Sequence, residues 1–199
     1  NGAVFSAGLE LPALVGRTRA EMQTLITLFD RVMLRFFELP IPLIAAIDGH
    51  AIAGGTVLAL QADLRLAADK PLKMGLNETQ LGIGLPAIVL ETLRAQVPAS
   101  SLAPIAIEGK LFNPQEAHAL GLVHEVLPAD QLLPKAIERA TALAALSPAG
   151  VRQVKAALRR PTAQAIRATE HAETERWLET WFHPESQRVL QAAVAKLKK

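Results

Sequence analysis

The chain has 199 residues, of which 50% are hydrophobic and 20% are charged. That balance is typical of a folded domain with a sizeable core. Basic residues exceed acidic ones by 21 − 19 = 2 without a dense basic run, so nucleic acid is not expected as a partner. The lack of cysteine excludes disulfides, thiolate metal sites and cysteine nucleophiles. No apolar stretch approaches the roughly 20 residues that cross a bilayer, so no membrane partner is expected either.

The first part of the chain mixes helix and strand patterns. Residues 19–38 repeat apolar side chains every three or four positions, which predicts an amphipathic helix that Pro40 ends. The short apolar runs at 43–47 and 64–68 are typical of strands buried on both faces, and 73–75 predicts a third, shorter strand. This order of elements predicts an α/β fold.

Later elements are marked by their end signals. Pro86 is expected in the first turn of a helix that runs toward Gln96. Residues 113–116 carry the signals of a helix start. Asn113 is an N-cap residue, Pro114 suits the first turn, and Glu116, three residues after Asn113, is the capping acid. Residues 123–127 are strand-like.

From about residue 128 onward the chain shows helix patterns only. These helices are expected over 130–146, from 147 to about 161, through a segment with Trp177 and Trp181 on one face, and after Pro184. We interpret the tryptophan pair as core or interface packing rather than ligand contact, because aromatic residues four apart form a stripe on a helix.

Two turns of small residues could hold an anion: residues 5–8 (FSAG) and 53–55 (AGG). Glycine lets a ligand approach the backbone closely. If Gly54 and Gly55 begin a helix, their N–H groups lack intrahelical partners and suit an oxyanion. The residues alone leave a second interpretation open, in which the glycines only let a helix pack against a strand.

Glu78 is a candidate acid/base group because Met74, Leu76 and Leu81 surround it in the sequence. A carboxyl group in an apolar pocket resists ionisation, which suits proton transfer near neutral pH. The alternative is an exposed loop acid. The five histidines show no ligand spacing, so no metal is expected, and no Gly-x-Ser-x-Gly motif supports a hydrolase.

Four segments together resemble the enoyl-CoA hydratase/isomerase (crotonase) superfamily. They are residues 5–11 (FSAGLEL), 46–55 (AIDGHAIAGG), 62–65 (ADLR) and 75–82 (GLNETQLG). The resemblance implies an α/β fold, a spiral of ββα units that would occupy residues 1–127, followed by a helical trimerisation region over 128–199. Members usually carry further ββα units before the first of these segments, and those units are expected to be missing here.

The resemblance also implies the site. An acyl-CoA thioester carbonyl would lie between the backbone N–H groups of Ala7 and Gly54, and Glu78 would be the catalytic base. The remaining residues that the resemblance places at the substrate are Ser6, Gly8, Leu9, Gly55, Val57, Asn77 and Leu81. No cofactor is implied, because coenzyme A enters as part of the substrate.

One departure from the hydratase pattern favours an isomerase. Hydratases of the family carry two glutamates, and the first of these positions holds Val57 here, whereas the second is Glu78. A single base can move a proton from one carbon to another, and residues 75–82 resemble the loop of Δ3,Δ2-enoyl-CoA isomerases. We therefore expect conversion of 3-enoyl-CoA to 2-trans-enoyl-CoA in fatty-acid β-oxidation.

Two other functions remain open: an enoyl-CoA hydratase or other crotonase-type enzyme that pairs Glu78 with a different group, and a non-catalytic acyl-CoA-binding subunit. Side chains within 22–39 and 85–93 are candidates for the acyl-chain pocket. We expect a homotrimer or hexamer in the cytoplasm, with a mitochondrial or peroxisomal protein as the alternative.

Overall fold

The structure is a computed structural model that describes residues 2–197. Asn1, Lys198 and Lys199, which the two predicted domain ranges include, lie outside the described residues. The strands are β1 (Val4–Ser6), β2 (Ile44–Ile47), β3 (His50–Ile52), β4 (Leu64–Ala68), β5 (Met74–Gly75) and β6 (Glu125–Leu127). The α-helices are α1 (Leu11–Leu14), α2 (Arg19–Phe37), α3 (Gly54–Leu60), α4 (Ala87–Gln96), α5 (Pro114–Ala119), α6 (Ala129–Ala144), α7 (Pro148–Trp181) and α8 (Pro184–Leu197).

The strands form two parallel sheets, in the orders β1-β3-β5 and β2-β4-β6. The pairs β2/β3 and β4/β5 each place one strand in each sheet, and a helix follows each pair, α3 after the first and α4 after the second. This repetition is a spiral of ββα units, and it confirms the predicted α/β class. The division into two domains near residue 127 stays a prediction.

Helix α2 follows its sequence pattern closely. Thr18 and Glu21 form a capping box at its start, in which each side chain accepts a hydrogen bond from the other's backbone N–H. The face that includes Met22, Ile26 and Phe37 is buried, because apolar residues three and four apart share one side of a helix. The predicted bounds of 19–38 are therefore confirmed to within one residue.

Helix α7 differs from its prediction. The sequence suggests a stop near Pro161, but the helix continues without a break from Pro148 to Trp181. Proline removes one intrahelical hydrogen bond, and packing on both sides of Pro161 compensates for it. Before the proline, Lys155 and Arg159 are tied to Asp63, and after it Ala163 and Ile166 are buried. Tertiary contacts have overridden the local signal.

Asp63, which immediately precedes β4, fixes α7 to the sheet. Burial acts to raise the pKa of its carboxyl, but hydrogen bonds from Lys155, the Leu43 N–H and Arg159 outweigh that effect and lower it. Arg159 also lies over the ring of Phe37 at the end of α2, with its guanidinium carbon 3.9 Å from the ring centroid. Helix α7 is thus joined to both the sheet and α2.

The buried apolar side chains form three clusters, one of which packs α6 against β4, and the other two lie on either side of the site described below. One extends from the sheets to α4 and includes Val57, Ile88 and Val89. The other lies beneath α7 and α8 and includes Met22 and Trp181. Within residues 2–197, no helix combines the length and the apolar character needed to cross a membrane.

Candidate active site

The two turns of small residues meet in the structure. A side-chain carbon added to Gly8, which has φ +80°, would lie 2.7 Å from the backbone nitrogen of Gly54. One added to Gly54 would lie 3.0 Å from the Cα of Gly8. The first distance is shorter than real Cβ atoms show and the second is tighter than most of their contacts, so the approach of the two turns requires glycine at position 8 and favours it at position 54.

Gly55 has a structural role instead. A Cβ atom there would lie 2.0 Å from the carbonyl oxygen of Ser6, so the start of α3 packs directly on the end of β1. The Ser6 hydroxyl accepts a hydrogen bond from the Gly8 N–H, which supports the first turn. Neither Ser6 nor Gly55 lines the cavity described below. The packing interpretation of the glycine pair therefore describes Gly55, whereas Gly54 borders the cavity.

The backbone just before Gly54 is strained. Ala53 has φ +53° and ψ −122°, a conformation that costs a non-glycine residue about 1–3 kcal/mol. Two hydrogen bonds hold it, from its own N–H to Gly75 O and from the Val57 N–H to its carbonyl. The result is that α3 begins abruptly at Gly54. Among the described residues, neither the Gly54 N–H nor the Ala7 N–H has a hydrogen-bond partner.

Thr56 connects this turn to the strand that leads to Glu78. Its buried hydroxyl donates to the Ala51 carbonyl and accepts from the Gly75 N–H, the latter at 2.9 Å. Since β3, α3 and β5 meet at this one side chain, the position of the Gly54 turn is coupled to that of residues 76–78.

A cavity of about 570 Å³ opens between the two apolar clusters, a volume within the range of small-molecule sites. Eight residues that the sequence places at the substrate line it: Ala7, Gly8, Leu9, Gly54, Val57, Asn77, Glu78 and Leu81. Two acidic residues, Glu78 and Glu10, are among the residues that line it. Val57, which also lines it, is 1% exposed and apolar.

Glu78 is the polar group most perturbed by this environment. Burial raises the pKa of its carboxyl from 4.5 to about 7, although a hydrogen bond to its own backbone acts to lower it. Its Oε2 atom, like Oδ1 of Asn77, is buried without a hydrogen-bond partner among residues 2–197. The carboxyl can therefore exist in either protonation state near neutral pH, as an acid/base catalyst requires.

The loop that carries Glu78 is held by the C-terminal helices. Thr180 of α7 accepts a hydrogen bond from the Gly84 N–H at 2.9 Å, and Ser186 of α8 donates one to the Gly82 carbonyl at 2.6 Å. Gly82 has φ +75°, and a Cβ atom there would lie 2.8 Å from the Ser186 hydroxyl. The loop thus lies directly on α8.

Several lining residues fall in segments that the sequence singles out. Ile26 and Phe29 lie within the 22–39 candidate segment and Val89 lies within 85–93, and their role at an acyl chain stays a prediction. Trp177 and Trp181 are buried in an apolar cluster, as the core-packing interpretation expects, and they also line the cavity. The continuous α7, which the sequence did not predict, brings them there. Within the described residues, no group of three or more metal-ligating side chains lies together.

Comparison with known proteins connects this geometry to a family. A family model described as enoyl-CoA hydratase/isomerase matches residues 1–199. The chain is 33% identical over 202 residues to the human protein named enoyl-CoA delta isomerase 1, mitochondrial, covering 98% of this chain and 65% of that protein. It is 32% identical over 171 residues to the 2,3-dehydroadipyl-CoA hydratase of Escherichia coli K12, covering 84% and 65% respectively. The chain spans less than two thirds of the length of both relatives.

A solved structure of the family has the same fold. The crystal structure of human mitochondrial delta3-delta2-enoyl-CoA isomerase matches with a TM-score of 0.93 at 31% identity, covering 100% of this chain and 77% of that one. This match confirms the spiral fold that the sequence resemblance implies.

Proposed function

Because the chain belongs to the enoyl-CoA hydratase/isomerase family, we propose that it acts as a Δ3,Δ2-enoyl-CoA isomerase, which converts 3-enoyl-CoA to 2-trans-enoyl-CoA. The observation that carries this proposal is the lone buried carboxyl of Glu78 in an apolar cavity. Val57 occupies the position where hydratases of the family hold the other of their two glutamates. A single base that moves a proton between two carbons requires no activated water.

The proposed reaction has two proton transfers. Ionised Glu78 takes a proton from C2 of the substrate, and the electron pair of that C–H bond forms a dienolate whose negative charge rests on the thioester oxygen. The N–H groups of Ala7 and Gly54 donate hydrogen bonds to that oxygen. Protonated Glu78 then returns the proton to C4, and the double bond lies between C2 and C3.

Each part of the site supports a separate step. One oxyanion donor is typically worth about 10²–10³ in rate, and the unpartnered N–H groups of Ala7 and Gly54 could supply two. A carboxyl with a pKa of about 7 is a stronger base than an exposed one and still returns its proton readily. We propose that no cofactor takes part, since coenzyme A belongs to the substrate, and that the reaction serves fatty-acid β-oxidation.

The family resemblance also supports a homotrimer or hexamer. Apolar side chains on the outer faces of α6 and α7 are consistent with such an assembly, because Leu133 is 62% exposed and Leu158 is 75% exposed. Sedimentation of the purified protein tests this part of the proposal. For the compartment, the cytoplasm stays a prediction.

The central experiment incubates the protein with a 3-enoyl-CoA and, separately, with a 2-trans-enoyl-CoA, and identifies the products by chromatography. We expect the 3-enoyl ester to yield the 2-trans isomer and Glu78→Gln to abolish this reaction. Because only ionised Glu78 accepts the C2 proton, kcat/KM is expected to rise about tenfold per pH unit up to about pH 7 and then level off. A profile without that acidic limb contradicts the assignment of Glu78 as the base.

One observation favours a hydratase as the second candidate: Glu10 is also among the residues that line the cavity, and its carboxyl could hold a water together with Glu78. In that case 3-hydroxyacyl-CoA accumulates from the 2-enoyl ester, and Glu10→Gln abolishes its formation. For the isomerase, Glu10→Gln leaves the rate of double-bond shift nearly unchanged. Tight binding of acyl-CoA without turnover of either substrate identifies the third candidate, a non-catalytic binding subunit.

A further inference from the structure

Trp177 and Trp181 are the two tryptophans of the chain, which has no tyrosine. Their rings stack with centroids 5.2 Å apart and an angle of 22° between the planes. Both side chains are almost fully buried, at 4% and 2% exposure, and both line the cavity that contains Glu78. They are the largest side chains in the lining.

The apolar cluster that contains the indoles is only partly open to the cavity. Met22, Leu178 and Leu190 belong to this cluster and are 0% exposed. None of the three is among the residues that line the cavity. At the indoles the cavity thus borders a closely packed part of the core, and such packing leaves no room for a further chain of atoms.

The rest of the cavity lining suits an acyl chain. Its polar groups come mainly from the two turns and from residues 77 and 78, whereas Ile26, Phe29 and Val89 are apolar. A thioester held at the turns would extend its acyl chain along these apolar side chains. Burial of each additional methylene strengthens binding about fourfold until the chain reaches a wall.

We propose that the stacked Trp177–Trp181 pair is the wall that limits the length of the acyl chain and so determines which chain lengths the site accepts. This inference rests on the proposed function, because it assumes an acyl-CoA in this cavity. A chain that reaches the pair has to displace two indoles that belong to a closely packed cluster. Truncation of either indole opens space for longer chains.

Tryptophan emission tests the contact without any turnover. Because both fluorophores line the site, the emission of the whole protein reports on this cavity. Saturated acyl-CoA esters from butanoyl to tetradecanoyl are titrated, since they contain no double bond to isomerise. We expect an emission change that grows with chain length to a limit and is absent with coenzyme A alone. Acyl-CoA binding, measured by calorimetry, without any change in emission overturns the inference.

Variants test the length limit. Trp181→Leu is expected to change the ratio of affinities for dodecanoyl-CoA and hexanoyl-CoA by at least about tenfold in favour of the longer ester, since a few methylenes in a pocket are worth that much. Trp181→Phe is expected to change this ratio of affinities less, and it serves as the test variant if Trp181→Leu does not fold. Leu178→Val is the matched control, because Leu178 belongs to the same cluster but is not among the residues that line the cavity.

The outcomes separate the two proposals. If the protein binds acyl-CoA esters with the expected length limit but isomerises none of them, the proposed reaction is wrong and the role of the tryptophan pair is supported. If it isomerises 3-enoyl esters and the folded tryptophan variants keep the wild-type chain-length ratio within about twofold, or the Leu178→Val control shifts it equally, the wall is refuted and the proposed reaction stands.

Discussion

Replacement of Glu78 by glutamine is expected to stabilise the protein while it abolishes catalysis. The pKa of Glu78 is raised from its ordinary 4.5 to about 7 in the folded protein, and a difference of one in pKa is worth about 1.36 kcal/mol. Ionisation in the native state therefore costs up to about 3 kcal/mol relative to the unfolded chain. The side chain retains some exposure, so we expect a gain of about 1–3 kcal/mol for Glu78→Gln above pH 7.

The sign of the effect sets its pH dependence. Below about pH 4.5 the carboxyl is largely protonated in both the native and the unfolded state, so its ionisation contributes little to the difference in free energy of unfolding between the wild type and Glu78→Gln. As the pH rises toward 7, the unfolded chain releases the proton while the native protein keeps it, so the wild type loses stability that Glu78→Gln retains. Asp30, whose pKa burial and the nearby Glu170 also raise to about 7, is present in both proteins and cancels in the comparison.

Urea unfolding of both proteins at a series of pH values between about 4.5 and 8.5 measures this difference. We expect it to be near zero at the acidic end and to reach its full size near pH 7.5. A difference that is independent of pH, or a Glu78→Gln protein that is less stable than the wild type at pH 8, refutes the argument that burial tunes this carboxyl.

Two further predictions concern the groups that position the site. Gly55→Ala places a Cβ atom 2.0 Å from the Ser6 carbonyl oxygen and is expected to lower the free energy of unfolding, measured in urea, by more than about 3 kcal/mol. Gly150→Ala, where nothing lies within 4 Å, is expected to leave that free energy unchanged or to raise it slightly. Equal effects of the two substitutions would contradict the packing argument. Thr180→Val removes the acceptor of the Gly84 N–H and should accelerate hydrogen exchange of that amide about fivefold and lower kcat more than it raises KM. Thr180→Ser should restore both, and a serine variant as impaired as the valine one would exclude a role for the hydroxyl.

Most of the framework could be predicted from local signals in the sequence. The capping signal at Asn113 gives the start of α5 correctly because it acts within a single turn of helix, and the apolar periodicity of residues 19–38 gives the bounds of α2 to within one residue. The strand at Leu64–Ala68 has its predicted bounds, since a buried parallel strand is a continuous apolar run. Glu78 could also be found from its apolar neighbours, which in the structure raise its pKa.

The remaining features depend on contacts between distant parts of the chain. Pro161 reads locally as a helix stop, and only the bonds from α7 to Asp63 and the burial of Ala163 explain why the helix continues. The positive φ of Ala53 is unexpected for alanine and follows from its hydrogen bond to Gly75. The place of Trp181 at the cavity likewise depends on how α7 packs across α2 and α4.

The cavity takes its last walls from the far end of the described chain, since α7 contributes Trp177 and Trp181 and α8 ends with Leu197, which also borders the space. Ribosomes synthesise a protein from its N-terminus, at about 5–20 residues per second. The turns and Glu78 are therefore made well before the helices that enclose them. Until α7 and α8 dock, we expect the Glu78 carboxyl to be open to water and its pKa to lie closer to that of an ordinary glutamate, because burial is what raises it. The proposed reaction therefore requires these two helices to be in place, and a nascent chain without them is expected to be inactive.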